Sequence, residues 1–161
     1  MVFWDSVFAQ VSREYPDVKT QSLLVDAASM FFVRDPGRFE VVVTSNLFGD
    51  ILTDLGAALA GGMGLAAGAN LNPERRYPSM FEPIHGSAPD IAGQNKANPI
   101  ATVLSLAMMM RYSFSREDLA QRIETGVRKV LASGARTGDI ALPGEAVIGT
   151  KAMGDALVAA V

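Results

Sequence analysis

The stretch over residues 45–66, SNLFGDILTDLGAALAGGMGLA, constrains the fold of this chain more than any other. It follows an apolar run that predicts a buried strand, and it continues with helical periodicity up to a pair of glycines. Asp50 and Asp54 are four residues apart, so their carboxylates share one face of the predicted helix. In apolar surroundings such a pair needs a cation or a proton, and a hard divalent metal would supply the cation. The same spacing also fits two solvated helix acids, which are common.

Composition places the chain among globular proteins. Its 161 residues are enough for one domain with a core, and 49% of them are hydrophobic. A net charge of −3 with mixed signs gives no basic patch for nucleic acid or a membrane surface. Cysteine is absent, which excludes disulfides and thiolate metal sites and fits a cytoplasmic location. We find no apolar run of membrane-spanning length and no signal-peptide pattern at the start.

The first third of the chain alternates between helical and strand patterns. We expect, in order, a helix over residues 3–15, a strand over 18–25, a short helix over 27–34 and a more buried strand over 39–44. This alternation predicts α/β architecture with some parallel pairing. Asp26 and Asp50 would then follow the carboxyl ends of strands, where open α/β sheets usually place ligands.

The middle of the chain is rich in glycine, proline and small residues. A short predicted strand over 80–84 leads to His85, the only histidine, and to the sequence Gly-Ser-Ala-Pro-Asp. Asp90 could accept hydrogen bonds from a pair of sugar hydroxyls, while the neighbouring glycine permits close approach of a ligand. Alternatively, His85 bonds the loop backbone and Asp90 caps a turn. No G-x-G-x-x-G follows a strand, so a Rossmann fingerprint is not predicted.

The last third of the chain has the pattern of a helical scaffold. Pro99 stands at the first turn of a helix that is apolar nearly all round, which predicts burial. Ser115 followed by Asp118 resembles a capping box in front of an amphipathic helix. A polar loop over 136–139 and a final helix over 151–161 complete the chain.

Three motifs, SNLFGDILTDLGAAL, SMFEPIHGSAPDIAG and KANP, resemble the β-decarboxylating dehydrogenases in their order and spacing. That family includes the 3-isopropylmalate, isocitrate, homoisocitrate, tartrate and D-malate dehydrogenases. Residues 2–18 and 72–83 are most similar to the tartrate and D-malate branch. The resemblance implies an isopropylmalate dehydrogenase-like α/β fold, of which residues 1–161 would be the C-terminal portion.

The resemblance also implies a metal-dependent chemistry. Members of the family oxidise a 2-hydroxy acid bearing a 3-carboxylate, pass hydride to NAD or NADP, and lose carbon dioxide from the β-keto acid. Mg²⁺ or Mn²⁺ holds the substrate and stabilises the alkoxide and the enolate as a Lewis acid. The family's metal-site aspartates match Asp26, Asp50 and Asp54, with Asp26 reaching the site of the opposite subunit of a homodimer.

A dinucleotide site is implied in the same way. The residues that match the family's cofactor contacts are Glu82, His85, Gly86, Ser87, Ala88, Asp90 and Asn98, with Asn46 as a further candidate near the nicotinamide. Asp90 matches the acid that bonds the adenosine ribose, which favours NAD over NADP because an acid repels a 2′-phosphate. Asn98 matches a residue at the adenine edge. Residues 93–96 read Gly-Gln-Asn-Lys where many members have Gly-Lys-Gly, which leaves the adenine-side contacts open.

The family's catalytic lysine and tyrosine match positions upstream of Met1. We therefore expect residues 1–161 to supply metal and NAD residues for a small hydroxy-acid substrate but to be inactive without the N-terminal portion of the enzyme. Predicted strands over 18–24 and 39–44 would then lack partners and expose edges. The alternative is a non-catalytic nucleotide-binding, dimerising or regulatory module on the same scaffold.

Overall fold

The structure, a computed structural model, describes residues 2–161 and divides into two compact units. The first unit extends to Phe48, and the second covers Gly49–Val161. The helices and strands, in chain order, are α1 (Val2–Ser12), α2 (Val25–Arg34), α3 (Asn46–Leu59), β1 (Ala67–Asn70), β2 (Met80–Pro83), α4 (Ile100–Tyr112), α5 (Glu117–Ala132) and α6 (Thr150–Ala160). Single 3₁₀ turns cover Pro36–Arg38, Met63–Leu65 and Pro89–Ile91. Within residues 2–161, no helix combines the length and apolarity that crossing a membrane requires.

Helices α1 and α2 confirm the two helices predicted in the first unit, but the predicted strands over 18–25 and 39–44 are wrong for this structure. Neither segment forms a strand ladder, and Val25 is already part of α2. Val41 is 84% exposed, although it lies in the run expected to be the more buried strand. A strand forms only when a neighbouring strand accepts its backbone hydrogen bonds, and the described residues supply no such neighbour for either segment.

The first unit buries little of its apolar surface. Ala28 is its only buried residue among those described, and α1 buries none. Phe32 and Phe39 pack with ring centroids 4.7 Å apart, and the Arg38 guanidinium lies 3.9 Å from the centroid of the Phe31 ring. Phe3 is 82% exposed. The apolar face predicted for α1 therefore exists as a surface and not as a core contact.

The core of the second unit is made by α4, α5 and α6. The cluster consists of Ile100, Val127, Val130, Met153 and Leu157. A second cluster joins Ala107 of α4 to Ala120 and Ile123 of α5. Gly126 permits close packing of α5, because a Cβ there would meet the Val161 side chain at 2.7 Å. The predicted burial of α4 and the apolar stripe of α5 are confirmed.

Strands β1 and β2 form an antiparallel two-stranded sheet that packs against α4. In its register, Ala67 is opposite Pro83 and Asn70 is opposite Met80. The parallel pairing that we expected from the strand–helix alternation does not occur among residues 2–161. Strand β1 has the sequence Ala-Gly-Ala-Asn, whose residues are poor strand formers. It is a strand because its backbone pairs with β2.

The predicted capping box at the start of α5 is wrong. Ser115 has a left-handed backbone (φ 53°), and its hydroxyl accepts a hydrogen bond from Arg75 Nη2 at 2.8 Å instead of capping the helix. The helix begins at Glu117 and is tied to α4 by Arg111. The Arg111 guanidinium donates to Glu117 at 2.7 Å and to Glu124 at 2.7 Å. Ion pairs of Arg111 therefore fix the start of α5 against α4, and no side chain of residues 2–161 caps the helix.

Two alanine substitutions in α6, one buried and one exposed, measure how much core packing contributes to the free energy of unfolding. Met153→Ala removes a side chain that is 0% exposed and should lower the free energy of unfolding by roughly 2–5 kcal/mol, because a cavity adds to the lost burial. Val158→Ala on the same helix removes a side chain that is 81% exposed and should change it by less than about 0.5 kcal/mol. Urea denaturation measures both, and equal effects would contradict the described core.

The start of α5 should lose stability in acid. Hydrogen bonds from Arg116 lower the pKa of Asp118 to about 2, and those from Arg111 lower the pKa of Glu117. Because both pKa values are depressed on folding, the stabilisation is present above the unfolded-state pKa of about 4 and is lost as the pH falls through the folded pKa. Urea midpoints between pH 5 and pH 2 should therefore fall less for Asp118→Asn than for the wild type. An identical fall would contradict this linkage.

Candidate functional site

Asp50 and Asp54 lie on the exposed face of α3, one helical turn apart. Neither carboxylate forms an ion pair or accepts a hydrogen bond from any side chain or backbone group among residues 2–161. The hydroxyl of Thr53 instead donates to the backbone oxygen of Asp50 at 3.2 Å. Leu47 and Ile51 share the face and are exposed as well. The predicted spacing on one face is therefore observed, while the apolar flank that we expected around it is open to solvent.

Asp26 lies in the first turn of α2 and belongs to the first unit. We expected it just past the end of a strand, but the segment before it is extended and unpaired, and the helix begins one residue earlier at Val25. Its Oδ1 accepts a hydrogen bond from the Ala27 backbone N–H at 2.7 Å, and the side chain is exposed. A carboxylate at a helix N-terminus is stabilised by the helix dipole, so this position by itself does not require a metal.

The donor set on α3 fits a hard divalent cation but does not complete its coordination. Mg²⁺ and Mn²⁺ prefer carboxylate, carbonyl and water oxygens, and Mg²⁺ takes six of them. Asp50 and Asp54 offer carboxylate oxygens without competing cations from the described residues. Across residues 2–161, no group of three or more His, Asp or Glu side chains is placed to hold a metal ion. Any metal held at this helix therefore needs further ligands beyond the pair.

The loop that follows β2 carries most of the predicted cofactor residues on an exposed, tightly turned backbone. Ile84 continues the hairpin by donating its N–H to Ala66 O at 3.0 Å, and His85 Nδ1 lies 3.0 Å from Gly86 O. Asp90 is exposed within the 3₁₀ turn Pro89–Ile91. Ala88 has a left-handed backbone (φ 43°), which costs about 1–2 kcal/mol for a residue other than glycine. Such positions often mark ligand-binding turns.

A cleft of about 500 Å³ opens beside this loop. Its lining comes from two parts of the chain, namely Ile91, Asn95 and Lys96 on one side and Gly138, Asp139, Val147, Ile148 and Gly149 on the other. Its volume lies within the range of small-molecule sites, roughly 300–1,000 Å³. Ile91 directly follows Asp90, so the cleft adjoins the position predicted to bind a sugar diol.

Glu82 lies on β2 and is exposed.

The Asn98 side chain is committed to bonds within the protein. It is 7% exposed, and its Oδ1 accepts a hydrogen bond from Ile100 N at the start of α4, 3.0 Å away. Its Nδ2 donates to Asp139 Oδ2 at 3.0 Å. Because both ends of the amide have partners and the side chain is buried, the backbone is the part of Asn98 best placed to contact an adenine ring.

The second wall of the cleft was not predicted from the sequence. The segment over 136–139 was predicted to be a polar loop, yet Thr137 is 0% exposed and Gly138 and Asp139 line the cleft. Val147 and Gly149, before α6, were assigned no function. The sequence carries no signal for this wall, because the partner of Asp139 is Asn98, 41 residues away along the chain.

Comparison with known proteins shows which protein family the chain matches. A family model described as isocitrate/isopropylmalate dehydrogenase matches residues 1–157. The curated 3-isopropylmalate dehydrogenase of Hydrogenovibrio crunogenus is 54% identical over 157 residues, covering 98% of this chain and 43% of the relative. That of Desulfitobacterium hafniense is 52% identical over 157 residues, covering 98% of this chain and 44% of the relative. The chain thus spans less than half the length of these relatives.

Solved structures give the same result for the fold. The crystal structure of isocitrate dehydrogenase from Methylococcus capsulatus has a TM-score of 0.85 and 44% identity, covering 96% of this chain and 44% of that chain. A β-decarboxylating dehydrogenase from Thermococcus kodakarensis has a TM-score of 0.75 and 32% identity, covering 98% of this chain and 44% of that one. The predicted fold class is confirmed. The finer resemblance to the tartrate and D-malate branch finds no support in these relatives.

The packing around Asn98 should tolerate no side chain at Gly64. A Cβ there would overlap Asp139 Oδ2 and lie 2.8 Å from Asn98 Cβ, so Gly64→Ala should destabilise the second unit by about 1–3 kcal/mol, typical of overpacking. Gly154→Ala in α6 meets nothing within 4 Å and should raise stability by about 0.5–1 kcal/mol through helix propensity. Urea denaturation compares the two, and effects of the same sign would contradict this geometry.

Proposed function

Because the chain belongs to the isocitrate/isopropylmalate dehydrogenase family, we propose that it supplies the metal-binding and dinucleotide-binding residues of an NAD-dependent dehydrogenase. The reaction is the oxidation and decarboxylation of a 2-hydroxy acid that bears a 3-carboxylate. The observation that carries the proposal is the pair of exposed carboxylates, Asp50 and Asp54, on one face of α3 without competing cations from the described residues. The names of the relatives favour a substrate of the 3-isopropylmalate type.

Asp50 and Asp54 hold the divalent cation from one copy of the chain, and Asp26 of a second copy adds a third carboxylate. When bound, Mg²⁺ or Mn²⁺ polarises the substrate hydroxyl and stabilises the negative charge that develops on oxygen. A homodimer is supported by the exposed apolar residues Leu47 and Ile51, which flank the acid pair and would be covered by a partner. Because Asp50 and Asp54 lie one helical turn apart on one face of α3, both carboxylates can approach the same ion.

The loop from His85 to Asn98 binds the adenosine half of NAD. Gly86 and Ser87 leave the backbone open to a ligand, Ala88 turns it, and the exposed Asp90 carboxylate accepts hydrogen bonds from the two ribose hydroxyls. The same negative charge disfavours the 2′-phosphate of NADP. Asn98 contributes through its backbone, and Glu82 on β2 lies toward the nicotinamide.

The general acid and base come from a polypeptide equivalent to the part of the relatives that this chain does not match. The extended segments around Val41 and Leu24 support this partner, because they are exposed and their strand patterns have no ladder among the described residues. A strand supplied from outside would satisfy their backbone groups and cover their side chains. The 161-residue chain alone is then a binding unit without turnover.

Titration of NAD⁺ into the chain tests the dinucleotide site. Isothermal calorimetry should detect binding, and Asp90→Ala should weaken it by about 10- to 100-fold, the effect of losing hydrogen bonds to a charged acceptor. The discrimination against NADP⁺ should shrink in the same variant. Asp17→Ala removes an exposed acid from the first unit and should leave the affinity unchanged. Failure of the wild-type chain to bind NAD⁺ would contradict the site.

A chimera tests the catalytic role. The N-terminal part of the Hydrogenovibrio crunogenus relative that this chain does not match is fused in front of residue 1. With NAD⁺ and Mn²⁺ the chimera should oxidise 3-isopropylmalate, whereas the 161-residue chain alone should not. Asp54→Asn should lower the chimera's kcat/KM at least about 100-fold because a metal ligand is lost, and Asp5→Asn, an exposed acid of α1, should not. A folded chimera that binds NAD⁺ without turnover would favour a non-catalytic module.

A further inference from the structure

The Asp139 carboxylate stands at the edge of the cleft and holds two buried polar side chains. Its Oδ1 accepts a hydrogen bond from Thr137 Oγ1 at 2.5 Å, and its Oδ2 accepts one from Asn98 Nδ2 at 3.0 Å. Thr137 is 0% exposed and Asn98 is 7% exposed, so neither donor has water as a ready substitute. A buried donor left without an acceptor costs about 1–3 kcal/mol, which makes the arrangement strongly preferred.

One of these two residues, Asn98, ends the segment over residues 95–98, which we call the strap. Asn95 and Lys96 of the strap line the cleft. Asn98 at the end of the strap also accepts the Ile100 N–H through its side chain, which ties the strap to the buried first turn of α4. The other end is tied to the start of α6. Asn95 O accepts from Thr150 N at 3.0 Å, and Asn95 Oδ1 accepts from Lys151 N at 2.9 Å.

The strap is therefore clamped at both ends, but the two clamps differ in kind. The Asn95 clamp uses backbone groups of α6, and Gly149 packs so closely against Asn95 that a Cβ would meet its backbone oxygen at 2.7 Å. The Asn98 clamp uses side chains, because the Asn98 amide bonds both the Ile100 N–H and the exposed Asp139 carboxylate, which also lines the cleft. Substitution of Asp139 therefore removes one bond of the second clamp, while the first clamp and the hydrogen bond from Thr150 Oγ1 to Ala97 O stay in place.

We propose that Asp139 is a positioning residue for dinucleotide binding: it holds the Asn98 end of the strap so that the strap backbone faces the cleft in the geometry that the adenine ring requires. This inference rests on the proposed function, because it assigns the cleft to the adenine. Asp139 acts through Asn98 and not by contact with the ligand. Preorganisation of the strap removes an ordering cost that binding would otherwise carry.

Two variants separate the role of the hydrogen-bonding shape of the Asp139 side chain from the role of its charge. An asparagine at this position keeps an oxygen for the Asn98 amide, and its amide N–H can donate to the Thr137 hydroxyl, which acts as donor or acceptor. Asp139→Asn should therefore retain the strap geometry, whereas Asp139→Ala should lose it. A carboxylate that acted on the ligand by charge would lose its function in both variants.

Binding and hydrogen exchange on the 161-residue chain test the proposal together. Asp139→Ala should raise the Kd for NAD⁺ about tenfold, which corresponds to about 1.4 kcal/mol, and should speed exchange of the Ile100 amide. Asp139→Asn should bind within about threefold of the wild type and keep that protection, by the donor exchange described above. Ile123→Ala, which destabilises the separate cluster of α4 and α5 that also contains Ala107 and Ala120, controls for lost stability and should leave the Kd unchanged while the chain is folded.

Each outcome decides something different. An unchanged Kd and unchanged Ile100 exchange in Asp139→Ala would overturn the proposal. Equal weakening by Ile123→Ala would mean that Asp139 acts only through the stability of the fold, and would overturn the proposal as well. Equal loss in Asp139→Asn and Asp139→Ala would overturn it in favour of a direct charge contact. Absence of NAD⁺ binding by the wild type would contradict the proposed function, and exchange at Ile100 would still decide whether Asp139 holds the strap.

Discussion

The packing of Ile100 at the start of α4 against α5 and α6 is the constraint on which the second unit depends. Ile100 is fully buried in the same cluster as Met153 and Leu157 of α6. Because the helix begins with a residue that cannot move without opening the core, the strap immediately before it is held in place. The strap beside the candidate dinucleotide site is thus held by an apolar cluster whose buried residues do not line the cleft.

The two parts of the candidate site are built to different degrees. The cleft beside residues 91–96 has two walls joined by hydrogen bonds that involve Asn95, Asn98 and Asp139. The acid pair on α3 has only the helix beneath it, and its exposed neighbours are apolar. Two solvated carboxylates do not stabilise each other, so a function for this pair depends on groups that another surface supplies. This contrast supports a metal site shared between copies.

Prediction from sequence succeeded where the signal was local. The helices α1, α2, α3, α4, α5 and α6 all carry apolar residues at helical spacing, and each was predicted with end errors of a few residues. The strand patterns around Leu24 and Val41 were also genuine patterns, but a ladder needs a second strand, and the described residues contain none for them. Strand β1 shows the converse, since Ala-Gly-Ala-Asn has almost no strand signal and forms one through pairing with β2.

The sequence by itself determined the family resemblance, the helical positions, and the placement of Asp50 and Asp54 on one helix face, because a helix relates residues a few positions apart by fixed geometry. Only the tertiary structure decided that the Asn98 side chain bonds Ile100 and Asp139, and that residues 138–139 and 147–149 form the opposite wall of the cleft. It also decided that the apolar runs of the first unit stay exposed. Those outcomes depend on which distant groups are available to satisfy a donor or cover a methyl group. Spacing along the chain does not contain that information.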